Sequence, residues 1–108
     1  MRKFNDFVEG VKEGAQGLAE NLFKEFKDSA LDDTQTFLKK AETDLQRWTK
    51  LLAAKKINEQ DFSDLVHAKK ALAEMHALTV AGTGLAKVER FRSALIDLVV
   101  DTAFKVFL

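Results

Sequence analysis

An all-α fold follows from three features of this 108-residue chain. It contains no proline. Its apolar residues recur every three or four positions in four long stretches, and no segment alternates with the period of a strand. Together these predict an antiparallel bundle of about four helices, a single unit over residues 1–108, with an oligomer expected from the distribution of its apolar surface. Nine phenylalanines and 46% hydrophobic residues supply enough apolar material for a core in a domain of this length.

The first stretch aligns Phe4, Val8, Val11, Ala15, Leu18, Leu22 and Phe26 on one helix face, and Phe7 and Phe23 widen it. This predicts an amphipathic, semi-independent N-terminal helix over residues 1–28, with a compact unit over 29–108. Gly10, Gly14 and Gly17 lie in it, and each costs about 1 kcal/mol of helix propensity relative to alanine. They fall along one edge of the apolar stripe. One reading is a small-residue groove for another helix backbone. The plainer and preferred reading is a tolerant terminal helix, because such spacing is common by chance.

The second stretch carries Phe37, Leu38, Ala41, Leu45, Trp48, Leu51 and Leu52, with Trp48 expected in the core. Ser29 and Asp32 are spaced as a capping box and predict a start near residue 29. No glycine or proline marks that boundary, so one bent helix of about fifty residues competes with two separate helices. Lys40 with Asp44, and Lys39 with Glu42, are spaced for weak ion pairs along it.

The third stretch places Phe62, Leu65, Ala68, Leu72, Met75 and Thr79 on one stripe. Its start is well marked. Asn58 is an N-cap, Asp61 completes a variant capping box, and Ile57 and Phe62 occupy the staple positions. Its end is set by Ala81-Gly82-Thr83-Gly84, with a left-handed C-cap glycine and Thr83 as the next N-cap.

The fourth stretch, through Leu85, Val88, Phe91, Leu95, Leu98, Val99, Ala103 and Val106, is the most informative. Toward the C-terminus its apolar arc spans roughly 200°, about twice what a bundle helix requires. Residues 94–108 therefore need cover on more than one side. Symmetric self-association is the favoured explanation. Ile96, Val100, Phe104, Phe107 and Leu108 are the expected interface, with Phe4 and Phe7 contributing. The alternative is a peripheral protein whose amphipathic helices lie on a lipid or other apolar surface. A helical partner protein is a third way to complete the core.

Charge and composition restrict function further. Seventeen basic and seventeen acidic residues balance. Divided at the expected breaks, the four segments carry −1, +2, −2 and +1, so none has the concentrated positive field that nucleic acid requires. The absence of cysteine removes disulfides, thiolate metal sites and a thiol nucleophile. The N-terminus lacks the apolar core of a signal peptide, and the longest uncharged run, Met75 to Ala86, is too short to span a bilayer. A cytoplasmic location is therefore expected.

No constellation dictates a reaction. His67 and His76 are half a turn out of phase on one helix, so they point apart. Asp64 with His67 is one carboxylate-x-x-His pair, whereas a di-metal bundle site needs two such pairs and further carboxylates. A surface histidine is the preferred reading of His67. His76 lies nearer the apolar stripe and is expected partly buried and hydrogen-bonded. Asp97 and Asp101 form a polar rim, and Gly82-Thr83-Gly84 matches no phosphate-binding fingerprint. The expectation is a non-catalytic structural or protein-interaction module that needs no metal or cofactor.

Overall fold

The computed structural model describes residues 2–108. Met1 and the side chain of Arg2, part of the expected N-terminal helix, lie outside the described residues. The described chain is all-helical, and the four expected stretches are divided among six helices: α1 (Arg2–Leu22), α2 (Lys27–Lys40), α3 (Glu42–Ala53), α4 (Glu59–Ala68), α5 (His76–Ala81) and α6 (Leu85–Phe107). A 3-10 turn over Lys70–Leu72 links α4 to α5.

At 23 residues, α6 is the longest element, about 34 Å at 1.5 Å per residue, and it accounts for most of the molecule's 42 Å length. Helix α1 runs antiparallel to it, as the paired residues show. Phe7 meets Phe107 with ring centroids 6.0 Å apart, and Phe23 meets Phe91 edge-on at 5.5 Å. On another side of α6, Phe62 of α4 lies 6.0 Å from Phe104. Val88, Phe91, Leu95, Ile96, Val99, Val100 and Ala103 are all buried. The wide apolar arc is thus covered largely by helices of the same chain.

The three glycines divide by position. A Cβ on Gly10 would lie 2.9 Å from Thr102 Cγ2, and one on Gly14 would lie 2.5 Å from Leu98 Cδ1, whereas Gly17 faces open space. At Gly10 and Gly14 the missing side chains therefore make room for α6, through the Thr102 and Leu98 side chains and not through a close approach of its backbone. Only Gly17 fits the plainer reading of a tolerant helix.

The boundaries follow the same division between local and long-range causes. At Asn58 the capping box is complete: Asp61 N–H donates to Asn58 Oδ1 (2.7 Å) and Asn58 N–H donates to Asp61 Oδ2 (3.2 Å). Gly82 adopts φ +79° and ends α5 in the left-handed conformation. Thr83 is not the next N-cap. Gly84 takes that place at φ +96°, and the Thr83 hydroxyl instead donates to the Leu78 carbonyl at 3.1 Å, closing the end of α5.

The first boundary is also displaced from its expected position. A turn at residues 23–26 separates α1 from α2, so the single fifty-residue helix does not form. Ser29 and Asp32 make no capping box. Phe26 occupies the N-cap position without a side-chain cap, because buried Phe23, seated against Phe91, anchors the turn through apolar contact. A lesser interruption at Ala41 divides the second stretch. There the helical register carries on, with Ala41 N–H donating to Phe37 O and Leu45 N–H to Ala41 O.

The third stretch breaks where nothing in the local sequence announces it. Buried Met75 adopts φ +55°, ψ +42°, a left-handed backbone that is costly for a side chain of this type. Two long-range anchors hold it. The buried Asp33 carboxylate accepts from the amides of Ala77 and Leu78, each at 2.8 Å. Arg92 Nε donates to the Ala73 carbonyl at 2.6 Å, and its guanidinium pairs with Glu89 at 2.5 Å.

Candidate interaction groove

Helix α1 and the α2–α3 arm flank a groove, apolar in its wider part, that ends at the C-terminus of α6. Its wider part, about 370 Å³, lies among Phe4, Thr49, Ala53, Ala54 and Phe107, with Lys3, Gln46 and Lys50 at the rim. It continues past Phe4 and Gln46 into a hollow of about 280 Å³ with a mixed lining, Val8 and Leu38 beside Asn5 and Gln35, edged by Lys12, Lys39 and Glu42. Phe4 and Leu38 are each 6% exposed, so they form a floor more than a wall. The Thr49 hydroxyl hydrogen is committed to the Leu45 carbonyl at 2.7 Å, which leaves the wider part with little free polar chemistry.

The rim is electrostatically one-sided. Lys3, Lys12, Lys39 and Lys50 stand against the single carboxylate of Glu42. Among the described residues, Lys3, Lys39 and Lys50 form no ion pair. Lys12 has a loose one with exposed Glu9 at 3.8 Å. The helical pairs expected from spacing are replaced by others: Lys40 reaches Glu74 at 3.4 Å, while Asp44 takes Arg47 and Lys69, both at 3.1 Å. Lys69 also lies 5.9 Å over the ring of Trp48, which is buried as expected.

Of the seven residues expected at an interface, Ile96, Val100, Phe4 and Phe7 are buried within the chain's own core. Phe104 and Phe107 are half-buried, and Leu108 is 56% exposed. The exposed end of the set adjoins the groove. Sequence reasoning singled out Phe107 and Phe4 but missed Ala53, Ala54 and the lysine rim, which gather only when the C-terminal end of α3 meets the two chain ends. It also missed Val80 and placed Leu85 on the apolar stripe of α6, whereas the two flank the Gly82–Gly84 turn at 73% and 79% exposure.

The two histidines lie apart. His67 is exposed, with Nδ1 2.7 Å from the Ser63 carbonyl and Nε2 3.4 Å from Asp97, while Asp64 accepts from Gln60 instead. His76 is exposed, contrary to the partly buried position expected. It edges a cleft of about 600 Å³ bordered also by Asp32, Lys40 and Glu74. Among the described residues no three His, Cys, Asp or Glu side chains gather as a metal site. No helix there is long and apolar enough to cross a membrane. No family model, curated protein or solved structure matches this chain.

Proposed function

We propose that this chain is a non-catalytic protein-interaction module, a helical bundle that receives a partner in the groove between α1 and α3. The observation that carries this reading is the wider hollow itself. It is lined almost wholly by apolar surface from three helices, with polar side chains confined to its rim, the usual anatomy of a helix-receiving groove. Titration of the isotope-labelled chain with amphipathic helical peptides tests it. Amide shifts should gather on Phe4, Ala53, Ala54 and Phe107. Shifts that are absent or scattered over the surface would overturn the reading.

Self-association through the C-terminal end of α6 is the second reading, favoured by exposed Leu108 beside half-buried Phe104 and Phe107. A symmetric pair formed across the groove would set the same lysines against one another, and this weighs against that geometry. The lipid-surface alternative has less support. Phe4, Phe7, Val11, Ala15 and Ala19 of α1 are buried in the core, so α1 would have to leave it to lie on a membrane.

A further inference from the structure

We infer that the partner received by the groove is an acidic amphipathic helix. This rests on the docking reading above and adds the chemistry of the occupant.

The α2–α3 wall runs from Lys39 to Ala54, and at 1.5 Å per residue this is about 22 Å, room for roughly four turns of a docked helix. The floor supplies apolar contacts at both ends, Ala53, Ala54 and Phe107 at one and Val8 with Leu38 at the other. Such a floor suits a partner with apolar residues at i, i+3, i+4 and i+7.

Charge then selects among such helices. Lys39 and Lys50 stand on one wall, Lys3 and Lys12 on the other, with Glu42 the one carboxylate lining the groove and Glu9 just outside, beside Lys12. The chain as a whole is neutral, so this local excess of cations is a property of the groove. A partner with glutamates flanking its apolar stripe meets a complementary rim, whereas a lysine-rich one meets repulsion. Four lysines with a carboxylate among them do not make the broad basic face that nucleic acid would need.

The test uses the intact chain and two designed 18-residue helical peptides with identical leucine stripes, one flanked by glutamates and one by lysines. Binding is followed by fluorescence anisotropy, and its site by amide shifts. The acidic peptide should bind at the groove, lose affinity as salt rises, and bind at least about tenfold more tightly than the basic one. The double variant Lys39→Glu with Lys50→Glu should remove most of that preference. Lys39→Gln with Lys50→Gln should give an intermediate result, and circular dichroism should show both variants folded. Equal binding of both peptides in the groove would leave the docking reading standing and overturn the acidic partner. Failure of both to bind there would overturn the two together. A stable homodimer occupying the groove, or sedimentation of the chain with phosphatidylserine vesicles through these same lysines, would also overturn the inference.

Discussion

A carboxylate that is 6% exposed is costly unless its oxygens are satisfied. Asp33 meets this condition by accepting an amide hydrogen on each oxygen, from Ala77 and Leu78. In doing so it fixes the start of α5 next to the left-handed Met75. Asn in its place keeps one acceptor but turns an N–H₂ toward the second amide. Asp33→Asn should therefore destabilise the fold by about 2–3 kcal/mol, read from urea unfolding. The loss should appear first as faster amide exchange at residues 73–81. The glycines of α1 give a paired prediction at the same scale. Gly17→Ala, in open space, should raise stability by about 0.5–1 kcal/mol. Gly14→Ala should fall short of that gain by about 1 kcal/mol, because the half-buried Leu98 side chain must shift. If both variants are stabilised to the same degree, the close approach of α6 is absent.

Elements were legible in the sequence where their ends are set by neighbours in the chain. Asn58 with Asp61, and Gly82 with its positive φ, are local devices, and both sit where the spacing placed them. The break at residues 23–26 was legible only as a weak start signal at Ser29 and Asp32, a few residues late, and the break at 69–75 was not legible, because no turn-forming residue marks it. They are imposed by Phe23 packing on Phe91, by Asp33, and by Arg92 from the far end of the chain. Helix propensity favours a continuous helix through Lys69–Leu78, and tertiary contacts override it. Two measurements separate the local from the long-range cause. Asn58→Ala should cost about 1 kcal/mol, as loss of a cap does. Phe23→Ala, which leaves a cavity beside Phe91, should cost about 3–5 kcal/mol and should also lower the protection of α2.

On the scale of the whole molecule, the breadth of the apolar arc on α6 was readable from the sequence, and so was the need to cover it on several sides. The identity of the cover was not. Periodicity reports how much surface a helix must bury, but it does not say whether the covering helices belong to the same chain. The glycine edge of α1 was the one signal that pointed inward, and it was outweighed by the frequency of such spacings. The groove was illegible for a related reason: Ala53, Ala54 and Lys50 carry no motif, and they acquire meaning only beside Phe4 and Phe107. The central claim is that one chain covers enough of the broad apolar face of α6 to fold alone, and sedimentation equilibrium at micromolar concentration tests it most directly. A folded, predominantly helical species with the mass of a single chain is expected. An obligate dimer that loses its helicity on dilution would contradict it.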